Sequence, residues 1–269
     1  MVASALVNDT PDATAGTPSA LSPVSLSVVI PVLNEAENVV PLLNEIAAAL
    51  SDRSDWEVLF VDDGSTDGTA AALQPRLGAR VRLVRHAERR GQSTAIRTGV
   101  RAARGTWIAT LDGDGQNDPA DIPALWARTL EGGGTGLAMV AGLRRKRNDS
   151  LSKRLASRLA NGIRNAILHD GCRDTGCGLK LFRRDAFLDL PFFSAVHRFL
   201  PALFLAQGHT VAYVEVNHRP RRAGTSKYGN LGRALVGVVD LMGVYWLQRR
   251  GGRPATPREE MAREQRPLT

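Results

Sequence analysis

Short apolar runs alternate with amphipathic stretches along most of the chain. Leu26-Ser27-Val28-Val29-Ile30, ended by Pro31, reads as a buried strand. Beyond it Val39, Leu42, Leu43 and Ile46 recur at helical spacing, with Asn34 as a helix N-cap and Glu37 three residues on. Trp56 to Val61 gives a second strand, and Val81 to Val84 a third. A helix carrying Ala95, Ile96, Val100 and Ala103 follows, and Arg104-Gly105-Thr106 turns the chain into a fourth strand, Trp107 to Leu111. Ala138 to Leu143 reads as a fifth, succeeded by a helix with Leu151, Leu155, Leu159 and Ile163 on one face. Strands alternating with helices predict an α/β fold whose strand ends share the edge where ligands bind.

The last apolar stretch, Leu231 to Leu247, holds Arg233 and Asp240 and is too short and too charged to span a bilayer. Coiled as a helix it gathers Leu231, Leu235, Val238, Leu241, Met242 and Tyr245 on one broad side. It reads as an amphipathic helix lying in the membrane interface, with Tyr245-Trp246 at headgroup level and Arg249-Arg250 on anionic lipid. A core or dimer helix is the alternative. The expected organisation is a disordered leader over 1–24, one folded domain over 25–230, the interface helix over 231–250 and a polar tail over 251–269.

Composition sharpens this picture. At 269 residues and 43% hydrophobic, the chain can bury a sizeable core as one domain. The formal charge of +8 asks for an anionic partner, and the cations crowd into Arg80–Arg104, Arg144–Arg164 and Arg219–Arg233. Nucleic acid is disfavoured: aromatics are only 5%, and no nucleic-acid motif appears. Two cysteines, Cys172 and Cys177, and an N-terminus of Ala, Ser, Thr, Pro and Asp give neither a disulfide framework nor a secretory signal, so a cytoplasmic location is expected.

The chemistry concentrates where strands end. The fourth strand runs into Asp112-Gly113-Asp114-Gly115-Gln116. Residues i and i+2 of an extended end point the same way, so two hard carboxylates with Gln116 behind them make a seat for Mg²⁺ or Mn²⁺. The second strand ends in Asp62-Asp63-Gly64-Ser65-Thr66-Asp67-Gly68-Thr69, suited to a nucleotide's ribose and base, and the third leads into Arg90-Gly91-Gln92-Ser93. The dinucleotide fingerprint and the P-loop are both absent, so phosphates would be neutralised by a metal on Asp112 and Asp114.

Pro31-Val32-Leu33-Asn34-Glu35, the Asp62–Thr69 segment and Asp112–Gln116 together resemble the signature of family 2 inverting glycosyltransferases. Within them the chain is most similar to the dolichyl-phosphate mannose synthase branch, over about Leu26 to Arg250. Asp174-Thr175-Gly176-Cys177-Gly178 resembles that branch's acid-plus-Ser-Gly motif with Cys177 in place of Ser, and Arg221-Arg222-Ala223-Gly224-Thr225-Ser226-Lys227 matches its Arg-x-x-Gly-x-Ser-Lys loop. The resemblance implies a GT-A fold: a Rossmann-like, mostly parallel sheet flanked by helices. It implies transfer of a sugar from a nucleotide-diphosphate sugar to a polyprenyl phosphate, with inversion and with Mg²⁺ or Mn²⁺.

By that resemblance Asp112, Asp114 and Gln116 hold the metal, and Pro31, Asn34, Glu35, Asp62, Asp63, Ser65, Gly91 and Asp112 form the donor site. Arg144, Lys153, Arg154, Asp174, Arg221 and Ser226 take the acceptor phosphate, and Asp112, Asp114, Arg221 and Lys227 carry the reaction. A chain ending in a polar tail is expected to be peripheral on the cytoplasmic face of the membrane, or to work with a separate membrane partner. Two alternatives stand beside this: a family 2 transferase acting on a hydroxyl of a saccharide or lipid, with Asp174 as general base, and a non-catalytic basic nucleotide- or nucleic-acid-binding protein.

Overall fold

The computed structural model describes residues 24–131, 136–145, 161–220 and 231–252. Seven strands build one sheet: β1 (Leu26–Val32), β2 (Trp56–Asp62), β3 (Val81–Arg85), β4 (Trp107–Thr110), β5 (Leu137–Arg144), β6 (Lys180–Arg183) and β7 (Thr210–Val216). Their order is β3-β2-β1-β4-β6-β5-β7. Strands β1 to β4 are mutually parallel, β6 lies antiparallel between β4 and β5, and β7 runs parallel to β5. This is the mostly parallel, helix-flanked sheet that the resemblance implies, with β6 and β7 as strands the hydrophobic pattern leaves unread.

Side-chain alternation decides the two faces. Val28, Ile30, Val58 and Phe60 point to a layer shared with α1 (Val39–Ala49), α2 (Thr69–Leu73) and α4 (Ile122–Glu131). Val29, Leu59 and Val61 point to the opposite layer with α3 (Gln92–Ala102). That second layer also takes in α5 (Arg184–Leu188), α6 (Leu200–Ala206) and α7 (Leu231–Arg250). Strand β2 is buried at every residue, which is why it reads as a continuous apolar run. Its one internal acid, Glu57, is fully enclosed and satisfied by Ser27 Oγ at 2.8 Å, the Arg104 amide at 2.7 Å and Arg82 at 3.1 Å.

After β3 the chain crosses back to the far side of β1 and enters β4. The carboxyl ends of β1 and β4 therefore flank a switch point, the place where an open α/β sheet leaves a crevice.

Two expectations change. Asn34 is not a helix cap: α1 begins at Val39 after Asn38, and Asn34 sits at φ 53° in the loop before it. Its amide donates to Ser65 Oγ and its Oδ1 accepts from the Thr66 amide, both at 2.8 Å, so it ties the β1 loop to the β2 loop. The broad apolar side expected of α7 is also split. Val244 is buried, Leu241 and Tyr245 pack against the second layer, and Gln248 donates to the Leu168 and Ala202 carbonyls at 3.2 Å each. Val239, Met242 and Trp246 face outward, 71%, 55% and 61% exposed. Among the described residues no helix is long and apolar enough to cross a membrane.

Helix α3 touches the sheet through Gly99, where a β-carbon would overlap Val29 Cγ1 and lie 3.0 Å from Val61 Cγ2. Gly99→Ala is expected to cost about 1–3 kcal/mol by overpacking, lowering Tm by about 2–4 °C per kcal/mol in a domain of this size. An unchanged melting curve would mean that this close approach does not hold α3 in place.

Candidate active site

Strand β4 delivers the two carboxylates to the crevice. Its last residue, Thr110, donates through Oγ1 to the Gly178 carbonyl at 2.8 Å, drawing the 175–178 segment across the strand end. Asp112 follows, its amide donating to Asn117 Oδ1 at 3.2 Å and its Oδ1 accepting from Gln92 Nε2 at 2.9 Å. Asp114 is buried, and its Oδ1 accepts from the Gln116 amide at 3.1 Å, closing the turn. Gly178 lies so near that a β-carbon there would overlap Asp112 Oδ2 and sit 2.6 Å from Asn117 Oδ1.

The electrostatics fit a cation. Desolvation, and then the charge of Asp114 beside it, push the Asp112 carboxyl up to about 6; Lys180, Gln92 and Arg144 only partly offset them. Lys180 is itself buried and spends a hydrogen bond on the Cys177 carbonyl. Among the described residues no group of three or more His, Cys, Asp or Glu is placed to hold a metal ion by itself. Two hard carboxylates with an amide alongside suit an ion such as Mg²⁺ that keeps several positions for water and phosphate oxygens.

Asp112, Asp114 and Gln116 line a cleft of about 1150 Å³, together with Pro31, Glu35, Asp63 and Gly91 from the expected donor set. Asp63 organises the loop after β3: its carboxylate accepts from the Arg90 amide at 2.8 Å and the Gly91 amide at 2.7 Å and is 2.8 Å from His86 Nδ1. Asn34, Asp62 and Ser65 do not reach the cleft wall. Asp62 is fully buried, accepting from the Ser65 amide at 2.8 Å and Arg85 Nε at 3.0 Å, so it shapes the turn that positions Asp63.

The expected acceptor residues divide similarly. Arg144 and Asp174 form a bidentate pair, Nε to Oδ2 and Nη2 to Oδ1 both at 2.6 Å, with side chains 14% and 10% exposed. Desolvation works against the Arg144 charge, but the hydrogen bonds it donates to Asp174, together with the charges of Asp174, Cys177 and Asp112, outweigh it and push the guanidinium further up. The pair braces the 174–178 turn from behind, while Thr175, Gly176, Cys177 and Gly178 form the cleft wall. Lys153, Arg154, Arg221, Ser226 and Lys227 lie outside the described residues.

Sequence reasoning misses several residues. Gln92 and Lys180 serve Asp112 from 20 residues upstream and from an antiparallel strand; only the polar opening of α3 hinted at the first. On the other side of the turn, residues 217–219 fasten onto it. Asn217 donates its amide to Asp121 at 2.7 Å, His218 bridges Asn117, and Arg219 holds Glu45 at 2.7 Å and the Asn117 carbonyl at 3.1 Å. The Arg219 amide also donates to the Gln116 carbonyl at 2.9 Å.

Residues 27–190, which hold all three strand-end motifs, match the family model described as glycosyl transferase family 2. The chain belongs to this family. As a family 2 glycosyltransferase it is 35% identical over 246 residues to the dodecaprenyl-phosphate galacturonate synthase of Rhizobium johnstonii, spanning 89% of this chain and 72% of that protein. It is 35% identical over 221 residues to the undecaprenyl-phosphate 4-deoxy-4-formamido-L-arabinose transferase of Edwardsiella ictaluri, spanning 81% of this chain and 65% of that one. Its fold resembles that of glucosyl-3-phosphoglycerate synthase from Mycobacterium tuberculosis, solved with Mn²⁺, UDP and glucosyl-3-phosphoglycerate. There the TM-score is 0.63 at 22% identity, over 87% of this chain and 82% of that one.

In this glycosyltransferase the contact between Gly178 and Asp112 is open to a paired test. Gly178→Ala is expected to destabilise the protein by about 1–3 kcal/mol through overpacking. Gly162→Ala, in the helical residues 161–168 with nothing within 4 Å of the new methyl, is expected to stabilise by up to about 1 kcal/mol. Thermal melts of the two variants should move in opposite directions; a neutral Gly178→Ala would contradict the packing described.

Proposed function

We propose that the chain transfers a sugar from a nucleotide-diphosphate sugar to the phosphate of a polyprenyl lipid, with inversion, at the cleft beside Asp112 and Asp114. The observation that carries this is the 35% identity, over 89% of the chain, to a protein that makes a dodecaprenyl-phosphate sugar. The cleft supports it, because a carboxylate pair at a sheet switch point suits a metal-bound diphosphate.

Breaking the anomeric bond leaves charge on the departing nucleoside diphosphate. A divalent ion held by Asp112, Asp114 and Gln116 would supply the Lewis acid for that charge. The protein's part is positioning. Asp63 gathers the Arg90-Gly91 loop at the donor end, while Pro31 and Glu35 close the wall beside it. Gln92 and Lys180 steady Asp112. Arg89, Arg90, Lys180 and Arg198 line the cleft and reduce repulsion between donor and acceptor phosphates.

A phosphate acceptor is already anionic near neutral pH, its second pKa being about 6, so it needs alignment more than deprotonation. That agrees with Asp174, whose two oxygens are engaged by Arg144. The motif residues Lys153, Arg154, Arg221, Ser226 and Lys227 are assigned to the acceptor phosphate. Helix α7 links the site to the lipid: Val236, Gly237 and Asp240 line the cleft, while Val239, Met242 and Trp246 are exposed above Arg249 and Arg250. An exposed apolar face ending in two arginines suits an anionic bilayer surface, here assigned to the cytoplasmic face.

The test is a transfer assay with purified protein, Mn²⁺ or Mg²⁺, undecaprenyl phosphate and a panel of UDP- and GDP-sugars, with products extracted and weighed by mass spectrometry. A glycosyl phospholipid that disappears with EDTA and in Asp114→Ala is expected. With an oligosaccharide acceptor offered in a parallel reaction, glycosylated oligosaccharide in place of the lipid product, or full turnover by Asp114→Ala, would overturn the proposal.

A further inference from the structure

The loop between α5 and α6 is pinned to α3 at two points. The Arg97 guanidinium lies 4.3 Å from the Phe192 ring centre, and Ser93 Oγ is 2.7 Å from His197 Nδ1. Between these anchors Ala195 is held at φ 67°, in a region that a β-carbon disfavours. Phe192, Ala195 and His197 all line the cleft. Ser93 directly follows Gln92, whose amide is bonded to Asp112, so the first turn of α3 touches Asp112 with one residue and the imidazole with the next. The charge of Lys180 acts on both Asp112 and His197.

Burial first, then the Lys180 and Arg198 charges, lower His197 to about 3. Near neutral pH the ring is uncharged and a poor proton acceptor, which removes it from general-base work. Its Nδ1 is occupied by Ser93, and no described residue takes Nε2. A neutral ring clamped through one nitrogen presents the other as a single directed hydrogen-bonding atom.

We infer that His197 is a specificity residue: through Nε2 it hydrogen-bonds a hydroxyl of the sugar being transferred, with Ser93 fixing the ring's orientation. This rests on the proposed function, in which the cleft holds a nucleotide sugar. An uncharged partner suits a hydroxyl, because it selects by position without competing for the diphosphate or the metal. A site built to bond a hydroxyl discriminates against sugars that place it elsewhere.

The experiment is calorimetric titration of the full chain with Mn²⁺ and UDP-glucose, UDP-galacturonic acid or GDP-mannose, each against its bare nucleoside diphosphate. For the sugar nucleotide that the wild type binds most tightly, His197→Ala is expected to weaken binding by about three- to tenfold, the loss of one neutral hydrogen bond. Affinity for UDP or GDP alone should stay as in the wild type. Ser93→Ala should show the same pattern with a smaller loss, and His197→Gln, which keeps a donor and an acceptor, should recover part of it. If His197→Ala does not fold, the Ser93→Ala and His197→Gln comparison carries the test. Equal losses for nucleotide and nucleotide sugar, or no loss for either, overturn the role of His197 while leaving the proposed function standing. Failure of the wild type to bind any of these nucleotides removes the proposed function and this inference together.

Discussion

Two carboxylates held side by side at the end of one strand are the constraint around which the site is built. Asp112 is enclosed on several sides: the missing β-carbon of Gly178, the Asn117 amide group that fixes its backbone, and Gln92 on its oxygen. Asp114 is buried and committed through one oxygen to its own turn. Burial and the neighbouring Asp114 charge raise the Asp112 carboxyl to about 6, and Lys180, Gln92 and Arg144 only partly offset them. Such a site is built for a charge that arrives with a ligand.

The sheet explains why the pair sits where a donor can reach it. Parallel β1, β2 and β4 end on one edge, and the loops after them are stitched to one another rather than left to diverge. Asn34 joins the β1 and β2 loops, Asp63 gathers the loop after β3, and Thr110 draws the 175–178 segment over β4. Each stitch spans a long stretch of sequence, so the edge is rigid only in the folded protein. Helix α7 then gives the site an outward side, with Asp240 at the cleft and Met242 and Trp246 in the open. One helix therefore carries both a cleft-lining residue and an exposed apolar face.

Much of this was legible in the chain. The strand cores were clear because β1, β2 and β4 are buried on both faces, and Asp112 and Asp114 stood out because paired acids after an apolar run have no place in a core. The features that the local pattern does not show are set by contacts distant in sequence. Asn34 carries the local pattern of a cap, but its bonds to Ser65 and Thr66, roughly thirty residues away, win. Asp62 looks like its neighbour Asp63 until burial separates their roles, and nothing local in the sequence shows that Arg144 and Asp174 pair with each other. Strand β6 is four residues long with lysine and arginine at its ends, too short and too polar for its period to show. The apolar residues of α7 serve two surfaces, so no single helical stripe could describe them.

The most direct test of the central claim is the linkage between metal and nucleotide, followed as Mn²⁺ binding by electron paramagnetic resonance with and without UDP or GDP. If Asp112 and Asp114 seat an ion that a nucleoside diphosphate completes, each ligand must tighten the other by the same factor, about tenfold or more for a shared coordination sphere. Asp114→Ala should abolish that coupling. Independent binding of metal and nucleotide in the wild type, or intact coupling in Asp114→Ala, would contradict the account.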